Sequence, residues 1–392
     1  MVKKAYIVVG LGFGDEGKGI VTDFLSNKYP DSINVRFNGG HQAGHCVVNS
    51  VTGESHIFSN LGSGTFRGLP TYWSSYCTFA PSYFVEEVAG LDIDLKFFIH
   101  PNSPVTTHYD ILYNKTSEIS LGHRRKGSCG VGFGATIDRN QIISFTVSDL
   151  FNEEKFLIKK LGEIRNYYKN LINIETSFDF SHFDHEREDL FFMQQIDYLK
   201  KIEANGGFTI VGSEQEIFKN WNSFIFEGSQ GILIDQNFGT KPYITKSNTT
   251  SQNAIKMITQ SGISIETEIF YVTRVYQTRH GNGPFKEKNS NFYLINNSAE
   301  TNVDNEYQGK FRANFLDLAD LRYAIACDNK YSKHFNKNLV ITCLDHMESE
   351  DIPVYDKGEL VTTNYRDITD LLNLRFKQVY FSKSNQSENI FQ

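Results

Sequence analysis

Two hydrophobic periods alternate along the chain. KAYIVVG, residues 4–10, is a short and nearly unbroken apolar run, the pattern of a strand buried on both faces of a parallel sheet. GKGIVTDFLSNKY, residues 17–29, then spaces its apolar positions for one face of a helix. Between them lies a glycine-rich loop, so strand, loop and helix open the chain. INVRFNGGHQAGHCVVN (33–49) predicts a second strand, a glycine and histidine loop, and a third strand. TYWSSYCTFA (71–80) and KFFIHP (96–101) predict further strands, and residues 120–140 a polar, glycine-rich loop. From about 146 to 204 the period becomes helical, with a charged face that reads as solvated. Strand patterns return in FIFEGSQGILID (224–235), IETEIFYVTRVYQTRHGNGPF (265–285) and NLVITCLDHM (338–347), with an amphipathic helix in DLADLRYAIACDN (317–329). Repeats, low-complexity tracts and linkers are absent from this pattern. The expectation is an α/β fold with a mostly parallel sheet: one domain over residues 1–392, carrying a helical insertion at about 146–204.

Composition narrows the classes. The chain has 392 residues, 40% hydrophobic and 22% charged, with a formal net charge of −7. An acidic balance argues against coating nucleic acid, yet leaves room for small phosphorylated ligands that need only local positive charge. Cys46, Cys77, Cys129, Cys327 and Cys343 are dispersed without C-x-x-C spacing, which reads as free thiols in a reducing compartment. With no signal-like or membrane-length apolar run, a cytoplasmic location without membrane contact is expected.

The loop GLGFGDEGKG, residues 10–19, raises the main chemical question. Gly12-x-Gly14-x-x-Gly17 has the letters of a dinucleotide fingerprint, but the second strand ends in RFNGGH, without the ribose-binding acid that motif requires. Gly12-x-x-x-x-Gly17-Lys18 has the letters of a P-loop, but Gly19 stands where that loop carries the Ser or Thr that meets Mg²⁺. Asp15 and Glu16 lie inside the loop, and a carboxylate is a hard oxygen donor suited to Mg²⁺. A ligand-free tight turn is the plainer alternative; five glycines and a lysine in ten residues argue against it.

In NGGHQAGHC, residues 38–46, His41 and His45 are four apart, but the glycines oppose a helical zinc pair. A general acid or phosphate donor is the reading for His41, and loop capping for His45. In FEGSQGILIDQNFGTKPYITKSNTT (226–250), Gln230 sits between glycines where an amide can read a base edge. The Thr and Ser residues after it suit phosphate oxygens, although an Asn/Thr-rich turn would have the same composition. TRHGNGPF (278–285) adds Arg279, and YQGKFRANFLD (307–317) adds Lys310 and Arg312, a pair that alone is usually solvated surface.

Together GDEGKG (14–19), VRFNGGHQAGH (35–45), GSCGVGFGA (127–135), residues 226–250, TRHGNGPF and CLDHM (343–347) resemble the adenylosuccinate synthetase family. The resemblance implies a P-loop-NTPase-like fold, a homodimer, and ligation of L-aspartate to C6 of IMP with GTP and Mg²⁺. It implies catalytic roles for Asp15, Lys18, His41 and Gln230: Asp15 as base at purine N1, Lys18 at the phosphates, His41 at the phosphoryl oxygens, Gln230 at O6. Gly12, Gly14, Asp15, Glu16, Gly17, Lys18, Gly19 and Asp345 would bind the nucleoside triphosphate, with Mg²⁺ on Asp15 and the Gly40 carbonyl. Asn38, Gly39, Ser128, Cys129, Arg139, Gln230 and Thr245 would bind the purine monophosphate, Arg139 reaching across the dimer. Gln308, Lys310 and Arg312 would bind aspartate.

The chain departs from the family pattern in three places. The aspartate loop is NEYQGKFRAN and keeps two cations of an arginine run; the guanine-reading KLD is CLD; and the glycine-proline segment near the C-terminus is replaced by FSKSNQSEN. GTP and ATP are therefore both open as donors. The departures resemble a viral branch, 2-aminoadenylosuccinate synthase, which takes dGMP with ATP or dATP. That branch replaces the loop aspartate, so the intact Asp15 favours IMP. Outside ligases, a GTPase-like switch would require Ser or Thr after Lys18 and an N/TKxD set, and neither is present.

Overall fold

The computed structural model describes residues 2–296, 300, 302–304 and 306–392. In chain order the first half contains β1 (Lys3–Gly10), α1 (Lys18–Lys28), β2 (Ser32–Arg36), β3 (His45–Val48), β4 (Ser55–Phe58), β5 (Thr71–Trp73), α2 (Pro81–Ala89) and β6 (Phe97–Ile99). The helices α3 (His108–Leu121), α4 (Phe133–Asn140), α5 (Glu154–Glu175) and α6 (His185–Ala204) follow. The sheet resumes with β7 (Phe208–Ile210), α7 (Glu214–Asn220), β8 (Ser223–Gly231), α8 (Gln252–Gln260), β9 (Ile265–Arg274) and β10 (Tyr276–His280). Last come β11 (Phe311–Asp317), α9 (Leu318–Ser332), β12 (Asn336–Thr342), β13 (Asp351–Asp356), β14 (Glu359–Asn364), α10 (Ile368–Leu372), β15 (Gln378–Ser382) and β16 (Ile390–Phe391).

The central sheet has ten strands in the order β16-β15-β12-β9-β1-β8-β2-β5-β6-β7. Every pairing is parallel except β15 with β16. This is the mostly parallel α/β sheet expected from the apolar runs. In β1 the pleat divides the core: Tyr6 and Val8 pack with Ile20, Val21 and Leu25 of α1, while Ala5, Ile7 and Val9 face Met257 of α8 and Leu321 of α9. A second core gathers Trp73, Phe84 and Phe97 with Leu161 and Ile196 of the inserted helices.

Three boundaries differ from the sequence reading. In 71–80 only Thr71–Trp73 is strand, because the chain turns at Ser74, whose carbonyl accepts from Cys77 N–H. HCVV leaves the main sheet and pairs with β4 as a separate antiparallel hairpin. The helical excursion between β6 and β7 includes α3 and α4 as well as the expected α5 and α6. A four-stranded sheet, β10-β11-β13-β14, stands beside the main one. Among the described residues, no helix is long and apolar enough to cross a membrane.

Parallel strands deliver their chain ends to one edge. The loops after β1, β2, β8, β9 and β12 thus meet at the carboxyl edge of the sheet, where open α/β sheets bind ligands.

Candidate functional site

The loop after β1 is shaped by its own acid. Glu16 turns inward (3% exposed), and its Oε1 accepts from Gly12 N–H at 3.0 Å and Gly14 N–H at 2.8 Å. Its Oε2 lies 2.5 Å from Nζ of Lys18, which is equally buried. Glu16 therefore holds in place the donors a phosphate would meet, and lies beneath the loop instead of in the cleft. Thr342 of β12 donates to the Glu16 carbonyl at 2.8 Å. The loop also meets the end of β8 without clearance: a Cβ on Gly231 would lie 2.1 Å from the Gly12 carbonyl oxygen.

Asp15 adopts a left-handed backbone (φ 63) and directs its carboxylate into the cleft, where Oδ2 lies 3.1 Å from Nε2 of His280. Burial raises the Asp15 pKa, but the hydrogen bond and charge of His280, with Arg274 and Lys18, outweigh it and hold the carboxyl below its ordinary value. The reciprocal interaction raises His280 against its own desolvation, with Asn302 and Glu300 contributing. Asp15 is thus an ionised carboxylate in a cationic setting. Arg274 fixes the turn by donating to the Asp15 carbonyl, and ion-pairs with Glu300 at 2.6 Å.

The second loop is braced by β8. Asn38 accepts from Ser229 N–H at 2.8 Å and donates to the Ser229 carbonyl at 2.9 Å, so its amide is spent on the fold. Gly39 N–H donates to Ser247 Oγ at 3.1 Å. The Gly40 carbonyl accepts from Ala43 N–H at 3.1 Å. His41 turns away from the cleft, 3% exposed, with Nε2 3.0 Å from the Val131 carbonyl. Burial pushes its pKa down to about 4, against the opposing influence of Val131 and Asp110, so the ring is neutral. Its Nδ1 is buried without a partner among the described residues.

Between these loops runs a cleft of about 1120 Å³. Gly14, Asp15, Gly17, Lys18, Gly19, Ser128, Cys129, Gln230, Thr245, Gln308 and Asp345 all line it. Gln230, at φ 64, presents there a buried Oε1 without a partner among the described residues. An orphaned buried acceptor costs about 1–3 kcal/mol, and this one lies where the cleft gives a ligand or water access to it. Lys18, Lys126, Lys241, Lys246, Arg274 and Arg279 also line the cleft, together with the carboxylates of Asp15, Glu118, Asp138, Glu300, Asp304 and Asp345, so both signs of charge meet there.

Several expected residues lie outside this lining. Gly12 and Glu16 sit behind the loop, and Asn38, Gly39, Gly40 and His41 behind the second loop, as described. Lys310 is exposed beside the cleft. Arg312 donates to the Gly281 and Gly283 carbonyls and stacks over Phe285 at 5.1 Å, its pKa lowered by burial.

Arg139 requires a correction. It is fully buried, ion-paired to Asp110 at 3.1 Å, and bonded to the Val105 and Ile143 carbonyls. A guanidinium held on all sides in the interior cannot reach across to a second subunit. His45 lines the cleft and anchors its loop end to β8 through Glu227. Sequence reasoning missed His280 and Glu300: TRHGNGPF drew attention to Arg279, and Glu300 lies in a segment with no motif. Only the charged side chains clustered within 278–304 hinted at them.

For a divalent cation, the Asp15 carboxylate is a hard oxygen donor facing the cleft, whereas the Gly40 carbonyl accepts from Ala43 N–H and lies outside the lining. Among the described residues no group of three or more His, Cys, Asp or Glu could hold a metal alone. That donor set suits Mg²⁺ carried on nucleotide phosphates, with few protein ligands.

A family model described as Adenylosuccinate synthetase matches residues 7–368. The adenylosuccinate synthetase of Pseudomonas paraeruginosa (strain DSM 24068 / PA7) is 31% identical over 294 residues, covering 72% of this chain and 64% of that protein. That of Alkalilimnicola ehrlichii is 33% identical over 298 residues, with the same coverage of 72% and 64%. The match thus spans about 64% of the length of these curated relatives. Among solved structures, fully ligated adenylosuccinate synthetase from Plasmodium falciparum superposes with a TM-score of 0.76 at 20% identity, covering 99% of each chain. Cyanophage S-2L succinoaminodeoxyadenylate synthetase, bound to dGMP and to dATP as an energy donor, superposes with a TM-score of 0.67 at 15% identity, covering 100% of this chain and 96% of that one. At these identities the two superpositions speak to the fold.

Proposed function

The chain belongs to the adenylosuccinate synthetase family, and from that premise we propose that it is a C–N ligase joining L-aspartate to C6 of a 6-oxopurine nucleotide. IMP is the favoured acceptor, and GTP or ATP supplies the phosphoryl group. The observation that carries the proposal is one cleft lined by an ionised Asp15, a buried Lys18 and the unpartnered amide oxygen of Gln230.

The chemistry follows from those groups. A base must be ionised before it can accept a proton, and the cationic setting keeps Asp15 so. Asp15 takes the N1 proton of the purine, and O6 then attacks the γ-phosphorus of the nucleotide, expelling the nucleoside diphosphate. The amine of aspartate adds at C6, inorganic phosphate leaves with O6, and adenylosuccinate results. Lys18 and the loop N–H groups meet phosphate oxygens once Glu16 releases them, and the Gln230 amide donates to O6 from Nε2. His41 serves the phosphoryl oxygens only if its loop turns toward the cleft. Ser128, Cys129 and Thr245 face the acceptor monophosphate and Gln308 the aspartate, whose carboxylates Lys310 and Arg312 reach only if their strand end turns toward the cleft. Mg²⁺ carried with the nucleotide would neutralise charge on the phosphoryl group, held by the Asp15 carboxylate and, only if its loop turned toward the cleft, by the Gly40 carbonyl.

A dGMP-using enzyme with ATP or dATP is the second reading. It is favoured by Cys343 in the nucleotide wall and by Ser382, Ser384 and Asn385 lining the same cleft. We further propose a cytoplasmic homodimer acting on small molecules, without nucleic acid or membrane as partner. The test is a matrix of IMP, GMP and dGMP against GTP, ATP and dATP with L-aspartate, read by mass spectrometry. An aspartate adduct of IMP supports the proposal, an adduct of dGMP alone selects the second reading, and no adduct in any combination rejects both.

A further inference from the structure

The monophosphate site loses its expected cation to the interior. Arg139 is spent on the buried Asp110, and the groups that remain to face the phosphate, Ser128, Cys129 and Thr245, are uncharged. A phosphate monoester carries about −1.5 to −2 charges near neutral pH, more than hydroxyl donors neutralise. Carboxylates share the same cleft, so an unaided dianion would be repelled as well.

Half of the cations in the cleft are committed elsewhere. Lys18 is paired with Glu16 beneath the first loop, and Arg274 with Glu300. Arg279 donates to the Pro284 and Tyr243 carbonyls and covers the Phe13 ring at 4.3 Å. Lys126, Lys241 and Lys246 remain, and all three are exposed.

Lys246 differs from the other two in where it reaches. It follows Thr245 directly, and its ammonium is ion-paired with Asp138 of α4, the helix that begins just after the Ser128–Cys129 loop. Its stem lies along Gly134, where a Cβ would meet Lys246 Cδ at 3.5 Å, Cγ at 3.7 Å and Cε at 3.9 Å. Gly134, Asp138 and Lys246 all line the cleft. The side chain therefore crosses from the Thr245 segment to the Ser128 side, joining the two segments whose hydroxyls face the phosphate. Both partners are about half exposed, with Lys246 at 48% and Asp138 at 51%. An ion pair so exposed is weak, and a dianion takes the ammonium from it at little cost. A solvated surface pair would show the same contact, but it would leave the affinity for a phosphate unchanged.

We propose that Lys246 supplies the positive charge for the acceptor's 5′-phosphate, passing from Asp138 to the phosphate when the nucleotide binds and back again on release. The inference deepens the acceptor reading above and rests on it. Lys246 stays protonated throughout, and no covalent bond changes. The exchange gives the cleft a preference for a nucleotide over the corresponding nucleoside.

IMP and dGMP are the probes, each titrated beside its nucleoside, inosine or deoxyguanosine, into the intact chain by calorimetry. A lost hydrogen bond between charged groups predicts about 10- to 100-fold weaker nucleotide binding by Lys246→Met, with nucleoside binding unchanged. Lys246→Arg keeps the charge and recovers most of the loss. Asp138→Asn removes the competing carboxylate and tightens the nucleotide by up to about fivefold, the worth of an exposed ion pair. In turnover, Lys246→Met raises KM for the acceptor while kcat and KM for the triphosphate hold. Equal weakening of nucleotide and nucleoside would mean a packing effect, and overturns the proposal. If the wild type binds IMP or dGMP and Lys246→Met binds it as tightly, this proposal alone fails. If the wild type binds neither, the acceptor reading fails and takes the proposal with it.

Discussion

Replacing Gly19 with serine completes the letters of a P-loop, and the structure predicts that this harms the chain instead of repairing it. The new Cβ would stand 2.8 Å from Cβ of His45, inside the 3.0 Å that real Cβ atoms essentially never cross. His45 cannot retreat freely, because its backbone pairs with Phe58 in the hairpin and its ring is bonded to Glu227. Overpacking of this kind costs about 1–3 kcal/mol, whereas serine in place of glycine in a helix returns only about 0.5 kcal/mol. The net loss is about 0.5–2.5 kcal/mol, accompanied by weaker tripolyphosphate binding as the loop and Lys18 are pushed from their place. Differential scanning calorimetry reads the first effect and isothermal titration the second. If Gly19→Ser unfolds at the wild-type temperature and binds tripolyphosphate more tightly, the loop is an ordinary P-loop lacking its hydroxyl, and the argument from filled space fails.

Two further outcomes follow from buried charge. Arg139→Met strands the fully buried Asp110 carboxylate and should cost about 3–5 kcal/mol by urea denaturation; a loss of activity without loss of stability would return Arg139 to a substrate role. His41 has a folded pKa of about 4 against 6.5 for the free group. Its unfolded form therefore binds a proton first as pH falls, and stability declines from pH 6.5 toward 4 by at most about 3 kcal/mol. His41→Gln should flatten that part of the stability profile, and an unchanged slope in urea titrations would contradict the burial argument.

The glycine loops were legible because their residue types have few other uses: Gly14 and Gly17 take positive φ, and Gly231 meets a neighbouring carbonyl. Strands β1, β8, β9 and β12 were legible as apolar runs buried on both faces. Helix α3 was not, since its buried positions are Tyr109, Asp110, Thr116 and Glu118 and no apolar stripe marks it. The same Asp110 explains Arg139, because a motif position records a residue type and not the partner that consumes it. Glu16 was assigned to the nucleotide from its place in the loop, although its carboxylate points back at the loop's own amides. His45 and Glu227 are 182 residues apart, a pairing that only the adjacency of β2 and β8 creates.

The ligase account is tested most directly by phosphate release from purified chain with IMP and Mg²⁺, in GTP and in ATP, with and without L-aspartate. The account predicts release only when nucleotide, purine monophosphate and aspartate are all present, one phosphate per adenylosuccinate formed, and none from Asp15→Asn. Phosphate released at the same rate without aspartate, or undiminished in Asp15→Asn, would contradict it.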